Sequence, residues 1–373
     1  MNQTTVRHIS DHDIFLIFKG AFFYLAPLTI LLSVIVIIQN IIIFVDYYKD
    51  RKKLIPSLFM GIALADMLRA QGELLLSVLS ILVYTGVVEA GVLYKSLVYY
   101  MFTALPGQNW SKLCNLVMSI SITFTVVNPF NRLNFRRIQK IMAFFCLVIV
   151  LLHFSDSITA VVVESTPNFT TYGNGSFIYL YLDFAFQVPG IVTTAALYCW
   201  PDNSGTSKCQ HEEIHSGNSQ AFLILCTVAA IYFLVPPLVM FICMTIQVVY
   251  LKRSLQEEEG EEARLLVQIH NTSRHMTITV TFITLLFFFC TTTYIFFTLV
   301  CWLYYNYSHV EEKDHPDREI AVWGVLLGFT EFTLPLIYAV LYPVILICRK
   351  EELRLRYAGY WRRLTASCTW WRY

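Results

Sequence analysis

An all-α bundle of membrane-spanning helices is the fold this sequence predicts. Three observations predict it: an apolar composition, seven long apolar runs, and a lopsided distribution of Lys and Arg between those runs. Of the 373 residues, 56% are hydrophobic and 14% charged, against about 25% charged in an ordinary soluble domain. Soluble cores do not take up such an excess, whereas runs of ~18–20 apolar residues cross a ~30 Å hydrocarbon layer. Inside that layer every backbone N–H and C=O is satisfied within its own segment, so each run reads as a helix. The net charge of +1 gives no electrostatic footprint for nucleic acid. The ten cysteines fall mostly in apolar runs, as small buried hydrophobes and not as a disulfide framework.

In chain order the runs cover Ala21–Val45, Leu54–Tyr84, Leu97–Val127, Ile138–Val163, Ala221–Leu251, Met276–Tyr304 and Ala321–Ile347. Ser176–Trp200 is an eighth candidate, interrupted by Asp183, Gln187, Pro189 and Gly190. The expected organisation is an outer N-terminus over 1–20, a seven-span bundle over 21–347 with a long second outer loop about 164–220, and a cytoplasmic tail over 348–373. Cytoplasmic segments retain positive charge, which tests this count. With the N-terminus outside, 19 of the 27 Lys and Arg fall inside, 6 outside and 2 within spans. Of the Asn-X-Ser/Thr sequons, modified only on the lumenal side, Asn2, Asn168, Asn174 and Asn306 fall outside, while Asn271 lies inside and Asn109 within a span, where both would be chance matches. An eighth span before Ala221 would turn Asn306 inward and the basic tail outward. The first span is expected to act as an uncleaved signal anchor, and the plasma membrane is the expected location.

Short motifs recur along the spans. Gln39-Asn40 lies in the first, Ile62-Ala63-Leu64-Ala65-Asp66 in the second, and Ser121-Ile122-Thr123 followed by Asn128-Pro129-Phe130 at the inner end of the third. Pro236 and Cys243 lie in the fifth, Phe287, Cys290, Thr291 and Tyr294 in the sixth, and Leu334-Pro335-Leu336-Ile337-Tyr338 ends the seventh. As an ordered set these resemble the motifs of rhodopsin-like (class A) G-protein-coupled receptors. Ser121, Ile122 and Thr123 stand where that family carries Asp-Arg-Tyr, Thr291 where it carries a tryptophan, and Leu334 where it carries the asparagine before Pro335 and Tyr338.

The resemblance implies a receptor sensing an extracellular small molecule or peptide, with a heterotrimeric G protein or arrestin as inner partner. Loss of the arginine at Ile122 implies that any signalling bypasses the usual contact. Ala104 stands at the amine-receptor aspartate and Gly328 at the retinal lysine, so neither an aminergic receptor nor an opsin fits. The family's pocket positions fall on Tyr100, Gln108, Asn109 and Tyr294, with Glu73 about two turns, ~10 Å, from Asp66; the alternative is that these residues pack and hydrogen-bond between helices. Leu97 stands where the family's outer disulfide begins. Cys199 and Cys209 lie in the second outer loop, where an oxidising exterior favours pairing them; otherwise they are two free or buried thiols.

Ionisable groups inside a membrane cost at least ~2.5–3.5 kcal/mol each and are normally paired or functional. Asp66, Arg69 and Glu73 follow one another at i, i+3 and i+7, on one helix face. The family alignment brings Ser111, Lys112 and Glu331 toward them, with Asn40 nearby. The set reads as a functional polar network or as a self-neutralising structural cluster. Three acids against two bases suggest that Arg69 or Lys112 replaces the sodium that the family's aspartate and serine hold. His153 and Asp156 are expected to pair locally.

No enzyme, cofactor or resident metal is expected. His211-Glu212-Glu213-Ile214-His215 is a literal H-E-x-x-H zinc motif, yet it lies in an outer loop beside Ser216-Gly217-Asn218 with no third ligand at a recognisable spacing. A membrane metalloprotease and a seven-span channel or transporter are the rival classes; no inverted repeat supports the latter. In the tail, Leu353, Tyr357, Tyr360, Trp361 and Leu364 fall at helical spacing opposite Arg and Lys, the pattern of a helix lying in the membrane interface. Cys368 beside Trp370 and Trp371 is a candidate for palmitoylation or a free thiol.

Overall fold

The architecture is that of a computed structural model, which describes residues 23–88, 90–127, 135–164, 234–250, 277–290, 328–349 and 353–359, with isolated positions at 252, 293, 322, 325, 326, 351 and 362. These residues are helical or in turns, with no strand among them. The helices are α1 (Ala26–Tyr48), α2 (Leu54–Tyr84), α3 (Ala90–Val127), α4 (Phe135–Glu164), α5 (Leu234–Tyr250), α6 (Thr277–Cys290), α7 (Leu334–Arg349) and α8 (353–359). A π-turn, Phe329–Thr333, runs directly into α7.

Five segments are long and apolar enough to cross a membrane: Ala26–Tyr48, Leu54–Tyr84, Phe102–Val127, Arg136–Ser155 and Phe329–Arg349. The chain is therefore membrane-embedded and all-helical in its described parts. α5 and α6 are shorter apolar helices within the expected fifth and sixth runs. α3 begins at Ala90, seven residues before the expected apolar start at Leu97, because helical hydrogen bonding continues beyond the apolar stretch.

α1 shows how sequence becomes packing. Pro27 sits in its first turn, where a missing N–H costs nothing. Ala26, Thr29, Ser33, Val36, Asn40, Ile43 and Tyr47 recur at spacings of three and four and are all buried. Leu28, Leu31, Val34, Ile38, Ile41 and Val45 face outward, as expected of a lipid-facing surface. The sidedness is thus small and polar inside, large and apolar outside.

α2 packs against both α1 and α3, α3 against α4, and α7 returns to α1. α5 and α6 join through Phe241 and Phe288, whose rings lie 6.0 Å apart, and α6 meets α7 through Phe287 and Tyr338 at 5.1 Å. Tyr47 stacks on Phe59 at 5.3 Å, tying α1 to α2. The main buried cluster draws buried residues from α1, α2, α3, α5, α6 and α7, Met142 of α4 packs against it, and Leu353 of α8 joins it.

The α2–α3 contact is the closest. A Cβ at position 107 would lie 2.5 Å from the Ala65 carbonyl oxygen and 3.1 Å from the Arg69 nitrogen, both backbone atoms that cannot swing aside. Gly72 faces Ala104 and Thr103 in the same way. Small residues let two helices approach where no hydrophobic force distinguishes protein from lipid. Gly107→Ala is expected to destabilise the purified protein by ~1–3 kcal/mol through overpacking, read as a lower thermal midpoint, while Gly359→Ala, which meets nothing within 4 Å, leaves the midpoint unchanged.

Candidate functional site

The buried face of α2 carries Asp66, Arg69 and Glu73. Arg69 Nε donates to Glu73 Oε1 at 2.5 Å, one turn away on the same face. Its Nη2 donates across the bundle to the backbone carbonyl of Glu331 at 2.7 Å, inside the π-turn. A guanidinium holds several donors in a rigid plane, so one side chain serves a carboxylate and a carbonyl together. Lys112 on α3 interacts electrostatically with Arg69 and Glu331. Tyr100 interacts with Glu73, Arg69 and Glu331, and its ring meets Phe332 edge-on at 5.6 Å. α2, α3 and the π-turn thus bring most of the expected network into one region.

Arg69 forms its hydrogen-bonded ion pair with Glu73 and also acts electrostatically on Asp66, one of the two cations, with Lys112, expected to neutralise that carboxylate. Two acceptors, the Glu73 carboxylate and the Glu331 carbonyl, draw the guanidinium toward the C-terminal end of α2. Asp66 on α2 and Ser111 on α3 act on each other as hydrogen-bonding side chains, which links these two helices within the cluster; Glu73 Oε2 and Tyr100 OH are buried beside them. Among the described residues no group of three or more His, Cys, Asp or Glu forms a metal site.

Asn40 stands apart from this cluster. Its Oδ1 accepts from Tyr342 OH on α7, while its Nδ2 donates to the Val36 carbonyl at 3.0 Å. Tyr338 OH donates to Asn115 Oδ1 on α3 at 3.0 Å, and the Tyr338 and Tyr342 rings stack at 5.6 Å. Two tyrosines one turn apart thereby join α7 to α3 and α1. Pro335 and Leu334 begin α7, both half-buried.

At the ends of α3, α5 and α6, Ile122 is buried in the apolar core where an arginine would be expected. Beside it lies a neutral polar node. Gln247 Nε2 donates to the Ser119 carbonyl at 3.1 Å and to Thr123 Oγ1 at 2.9 Å; Gln247 Oε1 accepts from Thr281 Oγ1 at 2.7 Å. Thr123 passes its own hydrogen to the Ser119 carbonyl at 2.8 Å. Buried Ser121 accepts at its carbonyl from Thr125 Oγ1 at 2.8 Å. Of this node, sequence reasoning singled out Thr123 but missed Gln247, Thr281 and Ser119. A glutamine buried in an apolar run was the available signal.

The expected pocket residues Tyr100, Gln108 and Asn109 are buried on α3. The Asn109 side-chain amide and His153 Nε2 on α4 lie 2.8 Å apart in a hydrogen bond that joins α3 to α4; the side chain of Asp156, the expected local partner of His153, lies outside the described residues. In α8, Leu353 is buried while Leu355 and Arg356 are exposed. Arg356 Nη1 donates to Asp46 Oδ1 at the end of α1, holding the tail against the bundle. Burial raises the Tyr357 phenol above its ordinary value, with the Gln39 side chain offsetting part of the rise. Asn2, Asn168, Asn174, Asn306, Cys199, Cys209, Thr291, Tyr294, Cys368 and the His211–His215 motif lie outside the described residues.

No family model matches the chain, and no curated protein matches it. The site therefore rests on its own chemistry. Replacing Arg69 alone with Met leaves Glu73 as an uncompensated buried carboxylate, at an expected cost of ~3–5 kcal/mol. Arg69→Met together with Glu73→Met removes both charges and is expected to cost less, a reversal visible in thermal melting of the three purified variants.

Proposed function

We propose that this chain is a divergent rhodopsin-like G-protein-coupled receptor: a seven-span plasma-membrane protein, N-terminus outside, that senses an extracellular small molecule or peptide. One observation carries the reading. Tyr338, at the position of the family's last motif, reaches through the bundle to Asn115 on α3, and its neighbour Tyr342 reaches Asn40 on α1. Paired polar contacts of this kind, inside helices whose outer faces are apolar, tie α7 to α3 and α1 without exposing polar groups to lipid.

Signalling in this reading bypasses the arginine contact. Buried Ile122 offers an inner partner no charge, and the α3–α5–α6 node on Gln247 ties those helices with neutral hydrogen bonds alone. A G protein or arrestin would therefore meet the loops and the basic tail first, where Arg354 and Arg356 are exposed.

Orientation is tested by glycosylation. In a variant lacking the sequons at Asn2, Asn168 and Asn174, glycosidase treatment is expected to shift the mobility, and replacing Asn306 abolishes the shift; surface labelling of the tail in intact cells would overturn the topology. Activity is tested by screening ligand libraries against cells reporting several G-protein classes and arrestin. Ligand-dependent signalling that survives Ile122→Ala supports the bypass, whereas ion currents from the purified protein in liposomes would favour a channel.

A further inference from the structure

Lys49, Arg51, Lys52 and Lys53 follow one another between α1 and α2, interrupted only by Asp50, and all four are exposed. The turn that carries them is closed by backbone hydrogen bonds, from the Asp50 N–H to the Tyr47 carbonyl at 3.0 Å and from the Lys53 N–H to the Asp50 carbonyl at 2.9 Å. Its cations are therefore held in place. Val45 and Tyr48 expose large side chains at the end of a membrane-crossing helix, so the turn stands where hydrocarbon gives way to headgroups. A second basic segment reaches the same depth. α1 and α7 run in the same direction, since Val36 clusters with Leu336 and Ala339, while Asn40, one turn on, meets Tyr342. Two turns beyond that bond, about 10 Å along each helix, lie Tyr47 and Arg349. Arg356 of α8 then pairs with Asp46, bringing α8 to the end of α1.

The charges along this seam do not balance. Each acid described there has its cation: Asp46 has Arg356, Asp50 has Lys53 at 2.9 Å, and Glu351 has Arg354 at 3.6 Å. Lys49, Arg51, Lys52 and Arg349, all exposed, pair with no carboxylate among the described residues. The Arg51 guanidinium lies 4.3 Å over the Tyr48 ring, and its Nη1 donates to the Tyr48 carbonyl at 3.1 Å. That fixes the fork at the helix end with further N–H groups to offer. We propose that the seam between the α1–α2 turn and the α7–α8 junction binds the headgroup of a membrane lipid bearing several phosphomonoesters. A phosphomonoester carries close to two negative charges and several strong acceptor oxygens, so a headgroup with more than one gathers these cations at a single point; a singly charged lipid does not. The two arginines supply planar forks and the two lysines point charges. A lipid is favoured over a dissolved phosphate because the turn stands at the membrane edge, where headgroups are concentrated and attraction acts within a Debye length. The side of the membrane rests on the proposed topology, which the glycosylation test decides separately.

Hydrogen exchange on the full chain in phosphatidylcholine nanodiscs tests the site, with the probe lipid in both leaflets so that orientation does not enter. Phosphatidylinositol bisphosphate at low mole fraction is expected to slow exchange of peptides across 46–57 and 353–359 by about threefold or more, with 277–290 unchanged. Phosphatidylserine at matched total charge, and free inositol trisphosphate at the same total concentration, are expected to slow it by less than half as much. Equal protection by phosphatidylserine reduces the seam to a general basic surface, equal protection by the free headgroup makes the ligand a dissolved phosphate, and equal protection by an acidic peptide makes it a protein; each overturns the proposal. Lys49→Gln with Lys52→Gln and Arg349→Gln is expected to abolish the protection while leaving the thermal midpoint in phosphatidylcholine alone unchanged, since all three side chains are exposed. Protection that survives these replacements overturns it too. Should the triple variant melt lower, Lys52→Gln alone decides: reduced protection supports the site, and undiminished protection refutes it.

Discussion

A charge taken into hydrocarbon has to bring its own partner, and that requirement organises this bundle around Arg69. The guanidinium has left water at a cost of several kcal/mol, offset by hydrogen bonds to one acceptor on its own helix and one across the bundle and by the nearby Asp66 and Tyr100. Those two bonds fix the face that α2 turns inward. The missing side chain at Gly107 lets α3 approach the α2 backbone beside Arg69, since bulk there would push against that backbone itself. The carbonyl that Arg69 holds belongs to the turn preceding α7, so the placement of that helix follows from the same side chain.

The rest of the interior obeys the same rule with neutral groups. In lipid the outward faces give helices no reason to prefer each other, so association comes from packing and interhelical hydrogen bonds. Five helix pairs have such a bond: α1–α7 through Asn40 and Tyr342, α3–α7 through Asn115 and Tyr338, α3–α4 through Asn109 and His153, and α3–α5 and α5–α6 through Gln247 with Thr123 and Thr281. Gln247 is the most economical, because one amide offers donors and an acceptor at once and so joins three helices from one position. An inner end closed by an amide and hydroxyls yields without moving a charge, unlike one closed by an arginine.

The fold was legible because the bilayer imposes a one-dimensional rule. Length and apolarity mark a span whatever it packs against, so the bounds of α2, Leu54–Tyr84, follow from the run itself. Helical periodicity likewise put Asp66, Arg69 and Glu73 on one face. Partner choice was less legible. Asp66 and Glu73 stand at i−3 and i+4 from Arg69, both within reach, and the periodicity gives neither priority. His153 illustrates the same point, since its hydrogen bond to Asn109 lies on another helix, at a sequence distance that no local pattern records.

By itself the sequence determined that the chain enters a membrane as helices, which faces are apolar, and where ionisable groups must be buried, because these depend on composition and on a period of 3.6 residues. Only the tertiary structure decided where Arg69 points, that Glu331 contributes its carbonyl to Arg69, and that Gln247 holds three helices together. Those outcomes depend on distances between segments far apart in the chain, down to a backbone carbonyl reached by a side chain 262 residues away. No local pattern records such a distance.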